Sequence, residues 1–358
     1  MKTLSKNTKN NLITYALIII AYVVLQSLQS AGSLSKSLSG QLVPVCVYIS
    51  LAISLNLVVG ISGELSLGHA GFMSVGAFSG VIVAVCLKDA VTNDVLRLIC
   101  GMLGGAAVAA CVGFLIGIPV LRLRGDYLAI VTLAFGEIIK NVVNVLYVGV
   151  DAKGLHVSTV SSDALGLENG TLIMNGPMGA MGIPRLSTFT MGFALIILTL
   201  FIVLSIIGSR QGRAIMASRD NRIAAESVGI SVSRCKLTAF VISAALAGMA
   251  GALYAMNYST VAAKKFDFNT SILVLVFVVL GGLGNIRGGI IAAAVLTVLP
   301  ELLRSMQDYR MLVYAIVLIL VMLGRNNATL KNYLSMLGGS ITGLFRKNAP
   351  AANGKEGV

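Results

Sequence analysis

GSRQGRAIMASRDNRIAAESVGISVSRCK, Gly208 to Lys236, is the one long polar and basic segment in a chain that is otherwise largely apolar. It carries six Lys/Arg against two acids and has apolar runs on both sides. Asp220 or Asn221 can cap a helix here, Arg222 to Val228 supply two turns, and Gly229 stops it. Ile223, Ala224, Ala225 and Val228 give that helix a small apolar face. A short amphipathic helix between two spans suits the docking of a soluble partner. A solvated basic loop has the same composition.

The flanking sequence sets the class. The chain has 358 residues, is 56% hydrophobic and 11% charged, and has a mean hydropathy of +0.90. That excludes an ordinary soluble domain. Several apolar runs approach the roughly 20 residues that span a bilayer. The 39 glycines suit close packing of membrane helices through small residues. The net charge of +13 lies in loops and tails, so anionic lipid headgroups account for it better than nucleic acid. Cys46, Cys86, Cys100, Cys111 and Cys235 form no CxxC or Cys/His cluster, and His69 and His156 are the only histidines. No metal site is expected.

About ten apolar segments lie near 12–28, 42–60, 71–87, 97–119, 127–148, 189–207, 237–257, 270–281, 290–303 and 311–324. The fold expected is an all-α membrane protein, a polytopic bundle of about 8–10 transmembrane helices with Gly-rich broken segments. The N-terminal run, Leu12 to Leu25, reads as an uncleaved first helix rather than a signal peptide, because no A-x-A-type site follows. With both ends inside, 17 of the 27 Lys/Arg fall on the inner side. The division expected is 1–11 as cytoplasmic N-terminus, 12–324 as membrane domain with an outer loop 149–188, and 325–358 as a basic cytoplasmic tail.

Two Gly-rich breaks interrupt apolar stretches. One is NLVVGISGELSLGHAGF, Asn56–Phe72, and the other VLGGLGNIRGGII, Val279–Ile291. Non-helical backbone at membrane depth needs protein or a water-filled cavity around it. Paired breaks in two halves of a chain point to a translocation pathway. Gly60, Gly63, Gly68, His69, Gly71, Gly281, Gly282, Gly284 and Gly288 are its candidates; close helix packing is the other reading. Glu137 and Lys140 share a helix face, as an ion pair or part of a proton relay. There is no GxxxxGK[ST], HExxH or GxSxG motif.

Four stretches together carry a resemblance: SLNLVVGISGELSLGHAGFMSVGAF (Ser54–Phe78), LRLRGDYLAIVTLAFGEIIKNV (Leu121–Val142), GRAIMASRDNRIAAESVGI (Gly212–Ile230) with its continuation to Ala255, and VLGGLGNIRGGIIA (Val279–Ala292). In that order they resemble the LivM-type permease subunits of branched-chain amino acid ABC importers, from about Val43 to Gly324. The resemblance implies a second permease subunit, two cytoplasmic ATPases that bind ATP and Mg, an extracytoplasmic solute-binding protein, and no cofactor on this chain. It implies a transport subunit, not an enzyme, in a bacterial cytoplasmic membrane. Leucine, isoleucine or valine is the implied substrate. Urea or another short amide, which related permeases carry, and an ion-coupled transporter are the alternatives. It also makes 208–236 the coupling loop that meets an ATPase, with Gly212, Arg213, Ala217, Arg219, Asp220, Asn221, Ala224, Ala225, Glu226 and Gly229 as its residues.

The chain departs from the family twice. Asp151–Gly154 and Asn175–Gly179 are loose counterparts of a compact outer-loop motif, with a long insertion between them. The last span ends Leu323, Gly324, Arg325, and an amphipathic stretch, Leu330 to Phe345, follows.

Overall fold

The computed structural model describes residues 6–32, 35–88, 90–123, 125–151, 154–166 and 170–303, with isolated positions at 309, 312–316 and 318–319. It divides into two compact units, 1–301 and 302–358. In the second, residues 312–316 are helical. Arg304 and the Leu330–Phe345 stretch lie outside the described residues.

The first unit contains helices α1 (Lys6–Ser30), α2 (Lys36–Asn56), α3 (His69–Cys86), α4 (Asp94–Val120), α5 (Asp126–Val145), α6 (Phe189–Gly208), α7 (Arg210–Asp220), α8 (Arg222–Ser227), α9 (Val232–Ala255), α10 (Phe268–Gly281) and α11 (Ile286–Leu302). Among the described residues, the helices long and apolar enough to cross a membrane are the seven from α1 to α6 and α9, with α2 extended by the five-residue π-helical stretch Leu57–Ile61. Helices α10 and α11 have 14 and 17 residues. At about 1.5 Å per residue they are short for a 30 Å hydrocarbon layer.

The core lies where α3, α4 and α9 meet, with α2 against α9. Small residues make it possible. A Cβ on Gly76 would sit 2.1 Å from the Gly248 Cα, and one on Gly105 would sit 2.6 Å from the Gly76 carbonyl. Backbones therefore touch directly, which in lipid replaces the hydrophobic drive that water supplies elsewhere. Helix α1 stays peripheral: Tyr22 stacks on Phe189 and Phe193 of α6, ring centroids 5.4 and 4.1 Å away.

The stretch expected to form the outer loop 149–188 holds most of a small sheet. Strands β1 (Tyr147–Asp151), β2 (Gly154–Ser158) and β3 (Thr171–Asn175) pair antiparallel in the order β2-β1-β3. An isolated bridge, Ala180 to Val261, ties this region to the segment after α9. Ser187 Oγ donates to the Leu253 carbonyl at 2.7 Å, fixing the same end. Ser37 at the start of α2 bonds Glu301 near the end of α11. The opposite end gathers the α2–α3 break, the α4–α5 turn, helices α7 and α8, and the α10–α11 turn.

Candidate functional site

Two helices, not one, fill the Gly208–Lys236 segment. Ser209 caps α7, its Oγ accepting from the Gly212 N–H at 3.1 Å. Gly212, Ile215 and Ser218 turn inward and are buried. A Cβ on Gly212 would lie 2.1 Å from the Ile206 carbonyl, so α7 folds tightly back on the end of α6. Asn221 caps α8, its Oδ1 accepting from the Ala224 N–H at 3.0 Å. Asp220 instead ends α7 and pairs with Arg219 at 2.9 Å. Gly229, with φ +84°, closes α8, and the Ile230 N–H reaches the Ala225 carbonyl at 3.0 Å. Arg222 and Glu226 pair across one turn at 2.8 Å.

The apolar face of α8 divides in two. Ala225 is 4% exposed and faces the chain itself. Ile223 and Val228 are 81% and 73% exposed. They point away from the protein, beside the exposed Ala224 and Glu226. Large apolar residues in a polar loop were the available signal for both. Ala217 is half-buried, and the exposed Arg213 donates to the Gly208 carbonyl at 3.2 Å.

Arg219 ties this segment to the first glycine break. Its Nη1 donates to the Gly60 carbonyl at 2.8 Å. Its stem covers Gly63 (φ +76°), where a Cβ would lie 2.5 Å from the Arg219 Cγ. The two breaks in turn meet each other. Asn56 Oδ1 accepts from the Gly284 N–H at 2.9 Å, and a Cβ on Gly60 would lie 2.2 Å from the Gly284 nitrogen. The Gly208–Lys236 segment, the first break and the second break therefore form one connected path of contacts, which no spacing in the sequence disclosed.

The other glycines serve close approach. Gly68 lies against the Thr132 carbonyl and Gly71 against the Gly136 Cα of α5, at 2.3 and 2.9 Å from an added Cβ. Gly281 and Gly288 abut across the α10–α11 turn, where Gly282 and Gly284 have φ of +103° and +78°. His69 is 3% exposed, with Nε2 2.8 Å from Ser54 Oγ. Ser243 Oγ donates to the Ser54 carbonyl at 2.6 Å, joining α9 to α2.

The carboxylates near the breaks have partners. Lys236 at the start of α9 pairs with Glu64, both well shielded. Lys140 pairs with Glu137. A cavity of about 400 Å³ beside the first pair is lined by Gly63, Glu64, Asp126, Arg222 and Lys236 among others. Among the described residues no group of His, Cys, Asp and Glu could hold a metal ion.

Comparison with known proteins places this architecture. The family model of the permease component of branched-chain amino acid transport systems matches residues 37–322. A high-affinity branched-chain amino acid transport system permease protein, LivM, of Salmonella typhimurium is 35% identical over 88% of this chain and 74% of its own length. The LivM protein of Escherichia coli is 36% identical over 78% of this chain and 66% of its own length, just under two thirds. A LivH permease protein of Salmonella typhimurium is 26% identical over 77% of this chain and 88% of its own. No solved structure matches the chain significantly. With seven long apolar helices among its described residues, the protein is a multi-pass membrane protein, and it belongs to the family of branched-chain amino acid transport permeases.

Proposed function

We propose that the chain is one of two permease subunits of an ATP-driven importer, carrying leucine, isoleucine and valine across a bacterial cytoplasmic membrane. Two cytoplasmic ATPases hold ATP and Mg, and an extracytoplasmic binding protein delivers the substrate. This chain binds no nucleotide. The observation that carries the reading is α8: a capped helix that exposes Ile223 and Val228 and is joined through Arg219 to the glycine breaks. Two bare apolar side chains on a basic end suit a groove in a soluble partner. ATP-driven closure of the ATPases would move α8, and the Arg219–Gly60–Gly284 contacts would carry that movement to α2, α10 and α11.

The orientation follows from charge. The end that holds α7 and α8 also holds most of the loop Lys/Arg, so it is the cytoplasmic one. Glu64 and Glu137, the carboxylates an ion-coupled mechanism would need, sit in ion pairs, which favours ATP-driven transport. The test is uptake of labelled leucine into vesicles holding the assembled complex. Uptake should require ATP and the ATPases and should survive an uncoupler. Uptake that persists without the ATPases and collapses with the uncoupler sinks the reading, and uptake of urea in place of leucine corrects the substrate. Single cysteines at positions 223 and 228 should react with a membrane-impermeant reagent only from inside, and one at position 160 only from outside.

A further inference from the structure

A cavity of about 940 Å³ opens at the α7–α8 end. Helix α1 contributes Thr14, α6 contributes Leu204 and Ile207, α7 contributes Arg213 and Arg219, and α11 contributes Arg287. Three guanidinium groups line it, and among the described residues no Asp or Glu does. Arg219 is already engaged by Asp220 and Gly60. Arg213 reaches only the Gly208 carbonyl among its described partners, and Arg287 Nε donates to Thr14 Oγ1 at 2.6 Å. The lining is amphiphilic in one direction. Its cations gather at the loop end, and an apolar strip leads away from them. One turn from Thr14 lies Leu17, and one turn from Leu204 lies Phe201, on the same helix faces. Both are exposed, at 52% and 60%.

We propose that this cavity holds the headgroup of an anionic phospholipid, its phosphate between Arg213 and Arg287 and its acyl chains along Leu17 of α1 and Phe201 of α6. Basic pockets between membrane helices on the cytoplasmic side recognise anionic headgroups by this combination of charge and depth. A free amino acid fits the lining less well, because no carboxylate among the described lining residues balances an ammonium charge. Free phosphate fits less well, because it has no use for the apolar strip. The site requires only that the chain spans a membrane, so a chain that failed as an importer would still show it.

The test uses the full chain in nanodiscs of phosphatidylcholine with a trace of spin-labelled phosphatidylglycerol or spin-labelled phosphatidylcholine, and reads the motionally restricted fraction of each label. Phosphatidylglycerol should associate more strongly than phosphatidylcholine, by roughly fivefold for each arginine facing the phosphate. Arg213→Gln with Arg287→Gln should bring the two labels level, and Arg213→Lys with Arg287→Lys should keep most of the preference. Arg210→Gln, on the exposed start of α7 and outside the cavity, should change nothing. Should the Gln pair fold poorly, Arg213→Gln alone should still lose about fivefold. Equal association of the two lipids in the unaltered chain overturns the proposal. So does an equal loss in Arg210→Gln, which would mean general surface charge. Displacement of the label by inorganic phosphate at constant ionic strength would assign the cavity to free phosphate and overturn the lipid.

Discussion

Gly76 against Gly248 and Gly60 against Gly284 are the same chemistry in two settings. In the first, two unbroken helices, α3 and α9, touch within the core; Gly80 and Ala252 extend the contact along their length, and Gly105 and Ala109 of α4 pack against it. In the second, two interrupted segments touch, and side-chain hydrogen bonds from Asn56 and Arg219 complete what the helices leave off. The difference teaches that glycine does two jobs here. Where the backbone on both sides is regular, glycine holds the fold together. Where it is broken, glycine joins two interrupted segments, and the bonds around it reach Arg219 of α7.

The sharpest way to break that comparison is to overfill both contacts. Gly76→Leu should leave no folded protein in the membrane, because the contact joins two regular helices of the core and cannot open without parting them. Its cost should exceed the 1–3 kcal/mol typical of overpacking. Gly60→Leu should be less damaging to yield and should abolish transport. Membrane yield by immunoblot and leucine uptake separate the two. Equal loss of yield would mean that both contacts only hold the fold.

Next in size is the surface that the broken contact leads to. Ile223→Asp with Val228→Asp should insert normally and lose the ATPases. Burying unpaired charge in an interface costs roughly 2–5 kcal/mol, or about a 30- to 4,000-fold weaker association. Co-purification of the ATPases with a tagged chain measures it. Ala225→Glu should instead damage the chain's own packing, since that residue faces inward. Undiminished co-purification of the Ile223/Val228 pair would leave α8 without a partner role.

A smaller effect isolates the link itself. Arg219→Gln removes a charged hydrogen bond to a shielded carbonyl, worth about 1.5–3 kcal/mol. The ATPases should still bind, while the ratio of substrate moved to ATP hydrolysed should fall. An unchanged ratio would detach the surface from the breaks. Smallest is Gly229→Ala. The left-handed conformation costs a residue with a Cβ roughly 1–2 kcal/mol, and an added Cβ meets nothing within 4 Å. Its effect should appear as a modest drop in melting temperature of the purified chain, with transport largely kept.

Much of this was legible beforehand, for physical reasons. Runs of about twenty apolar residues announce spans because the bilayer leaves backbone no other partner, and α2 to α6 and α9 appeared near where they were expected. The Glu137–Lys140 pair followed from helical spacing alone. Helix α7 was missed because Arg210, Arg213 and Arg219 hide its inward residues, Gly212, Ile215 and Ser218, which are too small or too few to show a stripe. The sheet was missed because its strands are five residues each, too short for alternation to stand out. Which side of α8 faces out depended on α7 and α9, and the meeting of Gly60 with Gly284 joins positions far apart in the chain. Neither is written in local pattern. The assignment of the break glycines to contacts with α5 and with each other came only with the tertiary structure.

The Gly60–Gly284 contact has a mechanical consequence. A joint lined with long side chains takes up a small push by rotating them, and the motion fades within it. Here backbone rests on backbone, with one arginine and one asparagine as struts. Such a joint has almost no slack. In the proposed transport cycle a close-packed joint of this kind passes on a displacement instead of absorbing it, and anything that adds play to it should waste the stroke even when every part stays attached.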